Sequence, residues 1–426
     1  MEFEIEEADS QHAHSLPKVC RCEKATKTQT IKSRTCLKKK QTPTSKARTC
    51  LVEKPLAKVK KVTMALGAMR AWPSQLPSLA DTELRVGTHF SGWETCCQSL
   101  RATQIPHRLV MACDSNQHCR RIIKQNFQPE LLYGDIRSRP MDSLPAGLDV
   151  YVSGSPCPSF SRAAACPTGI ADDRGKLIYK QSEFINTCNP KTFLLEQVST
   201  FKTLYPKVFK DYIRLLGNCG RGYNVSWKQL QTRKHGLPQN RERLYIVGIR
   251  SDLEQTQMFW PKGMELADNL SKILDSGATP NIDIKKETKS VQKSFQWANK
   301  RAKENGLDFE ETSDIYALDA RASEKYRHLH KNYTPTVTKA RGACGGFVLL
   351  SRGLCRWLSM VESGKLQGTD ISRLNLTGIS CTQLGMMVGN AMSRNIVDRV
   401  LPRLLHAASL IRTLPKDKWA DGELPF

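Results

Sequence analysis

Between Leu84 and Leu405 apolar residues come in short runs separated by segments of helical spacing. Arg85–Phe90, Leu109–Asp114, Leu131–Ile136, the run from Val150, Lys191–Val198, Val225–Leu230 and Leu244–Ile249 read as buried strands. Glu94–Leu100, Arg120–Gln125, Arg174–Ile185 and Phe209–Leu216 read as helices. Strand and helix alternate, which predicts an α/β fold with a mostly parallel sheet flanked by helices. From about residue 252 to 333 the pattern dissolves into polar, Lys-rich sequence with scattered aromatics, read as an inserted smaller domain. Basic residues interleaved with aromatics suit phosphates and bases, and equally suit a small core with a solvated face. Order returns at Thr334–Thr338, followed by helical stretches at Leu358–Leu366 and Met386–Leu405, the latter containing Gly389-Asn390-Ala391.

Residues 1–80 differ from the rest. They are rich in Lys, Thr, Ser and Pro and lack periodicity, so a disordered arm is expected. Lys38-Lys39-Lys40 and Lys60-Lys61 make it basic, as a nuclear-import signal, a non-specific DNA grip or a solvated tail. The expected location is the nucleus, otherwise the cytoplasm. His12, His14, Cys20 and Cys22 lack the spacing of a zinc finger, and no metal is expected.

The 426 residues suffice for two domains or one large domain with an insertion, and the net charge of +24 points to a polyanionic partner such as nucleic acid. No apolar run reaches membrane-spanning length, and no membrane partner is expected. Met1–Glu7 is acidic, the wrong sign for a secretory or transit segment. The 15 cysteines therefore read as reduced intracellular thiols.

The chemistry gathers at predicted strand ends. The run from Val150 breaks into Ser155-Pro156-Cys157-Pro158, two prolines holding a thiol on a rigid corner. Open α/β sheets place their chemistry just beyond the carboxyl ends of strands. Ser91-Gly92 makes a tight turn between strand and helix, with Glu94 in the first helical turn. Asp114, Asp135 and Glu196 supply acids at further strand ends.

Taken in order, these motifs resemble the cytosine-5 DNA methyltransferases. The resemblance rests on FSG at Phe90–Gly92, Asp114, GDI at Gly134–Ile136, SPCPSFS at Ser155–Ser161 and DRGKL at Asp173–Leu177. It continues through LEQV at Leu195–Val198, LPQNRERLYIVG at Leu237–Gly248, TPTVT at Thr334–Thr338, KLQG at Lys365–Gly368 and GNAMS at Gly389–Ser393. The likeness implies a Rossmann-like class I methyltransferase: a disordered arm (1–80), a catalytic domain (81–251), a small target-recognition region (252–375), a return to the catalytic domain (376–412) and a tail (413–426).

The implied enzyme is a DNA (cytosine-5-)-methyltransferase that uses S-adenosylmethionine on double-stranded DNA. By resemblance Cys157 is the nucleophile toward carbon 6 of a flipped cytosine, under the mobile loop from Ser159 to Asp173. Glu196 binds the exocyclic amine and N3, Arg243 contacts O2, and Arg241 orients the loop or shares that role. For the cofactor, Phe90 stacks on adenine and Ser91-Gly92 approaches the methionine part. Asp114 takes the ribose hydroxyls, Asp135 the adenine amine and Ile136 the adenine face. Pro156, Leu177, Asn390 and Ala391 complete that pocket.

The chain also departs from the family pattern. Glu94 and Thr95 stand where glycines are usual, Asp114 replaces a Glu, Pro158 a Gln and Gln197 an Asn, and Ala164-Ala165 lie where the mobile loop has a glycine. These departures leave room for a slow enzyme or an unusual cofactor fit. Two competing readings are methylation of transfer RNA and an inactive DNA-binding relative. The transfer-RNA branch has a cysteine motif in its small domain, whereas no cysteine lies between Cys219 and Cys344. Intact Cys157, Glu196 and Arg243 argue against the second.

Overall fold

The computed structural model describes residues 82–162, 167–253, 256–275, 279–343 and 346–426, all within the compact unit Ala65–Phe426. The basic arm 1–80 with its Cys/His set, Ala164 and Ala165 of the loop, and Cys344 lie outside the described residues. Cysteines among the described residues are free thiols.

The chain runs β1 (Leu84–His89), α1 (Thr95–Ala102), β2 (His107–Cys113), α2 (Gln117–Phe127), β3 (Leu131–Tyr133) and β4 (Val150–Gly154). There follow α3 (Leu177–Cys188), β5 (Thr192–Val198), α4 (Thr200–Leu204), α5 (Pro206–Gly217), β6 (Tyr223–Gln231), β7 (Gln239–Asn240) and β8 (Glu242–Arg250). The main sheet has the order β3-β2-β1-β4-β5-β8-β6. Its first five strands are parallel, while β8 is antiparallel to both neighbours. The expected mostly parallel sheet is present, and one reversed strand brings the start of β8 beside the carboxyl end of β5. Central strands read as continuous apolar runs because both faces are covered; every residue of β5 is buried.

Element boundaries shift from expectation by a few residues, and two of the shifts have a local cause. The third strand stops at Tyr133 because the Asp135 carboxylate accepts the Arg137 N–H at 2.9 Å and turns the chain. The helix expected from Arg174 begins at Leu177, since Asp172 closes a turn first: its carbonyl accepts Gly175 N–H at 2.9 Å and Lys176 N–H at 3.1 Å. Gly175 lies so close to Gly169 that a Cβ would stand 2.0 Å from the Gly169 carbonyl oxygen.

The Lys-rich stretch hides a regular element. α6 (Lys289–Glu304) buries Val291, Phe295, Ala298 and Ala302, a spacing of four and three that makes one helical face. That face packs on a four-stranded sheet built from β9 (Tyr316–Leu318), β10 (Leu329–Lys331), β12 (Val348–Ser351) and β13 (Leu354–Trp357). β11 (Thr334–Pro335) instead pairs with β7 and returns the chain to the main body.

α7 (Lys339–Ala343), α8 (Met360–Leu366), α9 (Cys381–Asn390) and α10 (Arg394–Ala407) follow. α10 is buried nearly all round, Arg394 at 1% exposure included. Arg394 Nε lies 3.3 Å from Asp398 Oδ2, and the Trp419 indole N–H donates to that same oxygen at 2.8 Å. Asp417 pairs with Arg399 at 2.9 Å and Arg403 at 3.1 Å. The segment read above as a tail is thus packed against α10. A buried charge with one partner removed is costly, and a large aromatic lost from a core leaves a cavity. Trp419→Ala is expected to lower the unfolding free energy in urea by about 3–5 kcal/mol; a change below about 1 kcal/mol would contradict this packing.

Candidate active site

β4 ends at Gly154, and Ser155-Pro156 leads to Cys157, which has a helical backbone (φ −85, ψ −14) ahead of a short 3-10 turn at Pro158–Phe160. The corner is fixed from below. Phe160 is fully buried and its N–H donates to the Cys157 carbonyl at 3.0 Å. The Gln197 amide donates to Ser155 Oγ at 3.0 Å, while its oxygen accepts the Val198 N–H at 2.9 Å. The Thr200 hydroxyl donates to the Phe160 carbonyl at 2.6 Å. Cys157 remains partly exposed, with Sγ 3.8 Å from the Ser155 carbonyl.

Glu196 sits opposite Gly154 in the parallel β4–β5 register and opposite Tyr245 in the antiparallel β5–β8 register. A Cβ on Gly154 would stand 3.5 Å from Glu196 Oε2 and 3.5 Å from Met392 Cε, so carboxylate, strand end and Met392 converge. Arg243 Nε lies 3.1 Å from Glu196 Oε1. That contact is electrostatic, without an aligned hydrogen bond. Glu196 Oε1, Arg243 Nε, Arg241 Nε and the Tyr245 hydroxyl are all buried without a hydrogen-bond partner. Buried polar groups left open in this way are what a polar ligand edge satisfies.

Arg241 is occupied differently. Its guanidinium donates to the carbonyls of Val337 at 3.2 Å, Gly389 at 3.4 Å and Ala391 at 2.7 Å. Burial, then the neighbouring Arg243, pushes its pKa down to about 10. It therefore clamps the end of α9 to the main sheet. Gly389 fits there because a Cβ would stand 2.2 Å from the Thr338 carbonyl oxygen.

Burial above all, and then the Glu196 charge, pushes the Cys157 thiol up to about 11, against the pull of Arg243 and Arg241. That shift favours the protonated thiol in the free protein.

The second cluster lies where β1 turns into α1. Phe90 (φ 51), Gly92 (φ 57) and Glu94 (φ 64) all take left-handed backbone. A Cβ on Gly92 would meet nothing nearer than the Phe90 carbonyl oxygen at 4.0 Å, so the space over the turn is open. Asp114 Oδ2 accepts the Gly92 N–H at 2.9 Å and Oδ1 accepts the Asn116 N–H at 2.8 Å. Burial raises the Asp114 pKa while those N–H groups hold it down. Asp135 is held low by a two-pronged pair with Arg137, Oδ2 to Nη2 at 2.6 Å. Ile136 and Ala391 are buried, Ser91 is buried against the Cys113 carbonyl at 3.2 Å, Pro156 and Leu177 are half-buried, and Asn390 is exposed at the end of α9.

The structure thus brings Cys157, Glu196 and Arg243 to one end of the sheet and sets Arg241 behind them. Tyr245 and Met392 were missed in the sequence. For Tyr245 a signal existed: it follows Arg243 by two residues, and alternate residues of a strand share a face.

Residues 85–406 match the family model described as C-5 cytosine-specific DNA methylase. Type II methyltransferase M.DsaV of Dactylococcopsis salina is 26% identical over 318 residues, 74% of this chain and 84% of that protein. Type II methyltransferase M.NgoBV of Neisseria gonorrhoeae is 31% identical over 198 residues, 44% of this chain but 43% of its own length. In fold the chain is similar to a Spodoptera frugiperda DNMT2 mutant, with a TM-score of 0.51 and 15% identity over 76% of this chain and 100% of that one.

One prediction follows from the thiol's surroundings. Alkylation of Cys157 by iodoacetamide, followed by peptide mass spectrometry, is expected to accelerate about tenfold per pH unit from neutrality without levelling near the free-thiol value of about 8.5. Glu196→Gln removes the charge that raises the pKa and is expected to speed labelling at fixed pH. A plateau below about pH 9, or slower labelling in that variant, would contradict the assignment. With the match spanning most of the folded chain, the protein belongs to the C-5 cytosine-specific DNA methylase family.

Proposed function

We propose that this chain transfers a methyl group from S-adenosylmethionine to C5 of a cytosine turned out of duplex DNA, with Cys157 adding covalently to C6. The observation that carries this reading is the convergence of a thiol, a carboxylate and a guanidinium at one sheet end, with Glu196 and Arg243 3.1 Å apart and Arg241 Nε and the Tyr245 hydroxyl buried without a hydrogen-bond partner. A carboxylate beside an arginine complements the edge of cytosine, which offers an amine donor and ring acceptors.

S-adenosylmethionine, when bound, supplies an electrophilic methyl group on its sulfonium. The residues of the turn fit such a ligand: Ser91-Gly92 leaves open space above its backbone, and Asp114 keeps carboxylate lone pairs for ribose hydroxyls. Ile136, Pro156, Leu177, Asn390 and Ala391 supply the remaining walls in this reading, with Phe90 against the adenine. Asp135 would have to share its carboxylate between Arg137 and the adenine amine.

In the addition step the Cys157 S–H proton passes to the Glu196 carboxylate as sulfur bonds to C6. The C5–C6 electron pair becomes available at C5, and a proton held by Glu196 reaches N3. Arg243 stabilises charge at O2. Once C5 carries the methyl group, a base takes the C5 proton, and the electron pair left behind re-forms the C5–C6 double bond and expels the Cys157 thiolate. Duplex DNA has its cytosines stacked, which makes flipping a requirement of this geometry. The basic clusters at Lys38–Lys40 and Lys60–Lys61 support a nuclear location.

The absence of a cysteine between Cys219 and Cys344 favours DNA over transfer RNA. Labelled methyl transfer to unmethylated duplex DNA and, separately, to transfer RNA tests the reading. Wild type is expected to label DNA, Cys157→Ala to label nothing, and Glu196→Gln to fall by about 10²–10⁴-fold. Label in RNA alone would move the substrate to transfer RNA; DNA binding without transfer would indicate an inactive relative.

A further inference from the structure

We infer that Glu94 is a specificity-determining residue of the cofactor turn: its carboxyl group governs whether the carboxylate of a nucleoside–amino acid ligand is accepted there, and docking of that carboxylate takes up a proton. This rests on the reading of the β1–α1 turn as the cofactor site.

Glu94 is the N-cap of α1, in left-handed backbone (φ 64, ψ 57) where glycine is the least strained residue, and only 1% exposed. Its Oε2 accepts the Thr88 hydroxyl at 2.9 Å, and Thr88 Oγ1 lies 2.7 Å from Ser91 Oγ. A chain of hydroxyls therefore joins this carboxyl group to the residue that precedes Gly92. Oε1 is buried and has no hydrogen-bond partner.

The charged and titratable surroundings are sparse. α1 contributes the Cys96 and Cys97 thiols, the Cys97 N–H and the Arg101 guanidinium. β1 contributes only the Thr88 hydroxyl. Across the turn, Asp114 adds a second acid, which holds the Gly92 N–H. α10 packs on α1 and brings Arg394 and Asp398, already 3.3 Å from each other. Among the described residues no ion pair neutralises Glu94. Burial accordingly raises its pKa to about 7, against the pull of Thr88, Cys97 and Arg101.

The N-terminus of a helix attracts anions through its free N–H groups and dipole. An ionised Glu94 puts negative charge into that position from within the protein and repels a ligand carboxylate. A protonated Glu94 removes the repulsion. An anion in the turn raises the Glu94 pKa further, so the complex retains a proton that the free protein releases near neutrality. Affinity for an anionic-ended ligand consequently falls as pH rises through that range.

Calorimetric titration of the full chain with S-adenosylhomocysteine, between about pH 6 and about pH 8.5 in buffers of different ionisation enthalpy, tests this linkage. For wild type, Kd is expected to weaken above neutrality by up to about tenfold per pH unit, with uptake approaching one proton per ligand. Glu94→Gln keeps the shape without the charge, and Glu94→Gly relieves the left-handed backbone. Both are expected to lose the slope and the uptake and to bind more tightly at high pH. Adenosine, which lacks the carboxylate, is expected to show no slope with any of the three proteins. A pH-independent Kd in wild type, or a slope that survives Glu94→Gln, overturns the inference while leaving the cofactor reading intact. No binding of S-adenosylhomocysteine to any of the three overturns both.

Discussion

The contact between Glu196 and Arg243 depends on strand direction. Parallel strands all present their carboxyl ends at one edge, and a side chain from the start of a strand reaches that edge only if its strand runs the other way. β8 does so between β5 and β6, pairing Val198 with Arg243 and Glu196 with Tyr245. A carboxylate and a guanidinium then meet 3.1 Å apart in a site only 6% and 14% exposed. Low exposure makes their charges felt at short range, and the Cys157 thiol registers both signs. The same exclusion of water leaves Arg241 Nε and the Tyr245 hydroxyl buried without a hydrogen-bond partner.

That holding structure lies behind the site. Arg241 ties the start of β8 to three carbonyls from the Val337 and Gly389–Ala391 segments. α7 and α9 meet backbone to backbone, since a Cβ on Gly342 would stand 1.9 Å from the Gly385 carbonyl oxygen. Gln367 donates to the Val388 carbonyl at 3.0 Å, and Gln239 donates to the Leu366 carbonyl at 2.7 Å. Segments more than a hundred residues apart in the chain are thereby fixed against the end of the sheet that carries Cys157.

Much of this was legible in the chain itself. The central strands announced themselves as apolar runs, and Cys157 stood out between two prolines at the end of one of them. Strand direction was not legible, because an apolar run carries no arrow; only the pairing of β8 with β5 reveals why Arg243 and Glu196 belong together. In sequence Arg241 reads as orienting the loop or sharing the role of Arg243, and its distant carbonyl partners mark it as a clamp. α6 does carry the spacing of a helix at Val291, Phe295, Ala298 and Ala302, but the lysines between them dilute the signal. The packed segment around Trp419 depends on Asp398 and Asp417 contacts that no local pattern encodes.

The central claim is a covalent bond between Cys157 and cytosine. A duplex carrying 5-fluorocytosine in place of the target base, incubated with the protein and S-adenosylmethionine, tests it directly. Fluorine cannot leave C5 as the proton does, so the ring cannot be restored and sulfur stays bound to C6. The account predicts a protein–DNA adduct that survives denaturant and maps by peptide mass spectrometry to Cys157. No adduct on DNA that the protein demonstrably methylates, or an adduct on another cysteine, would contradict it.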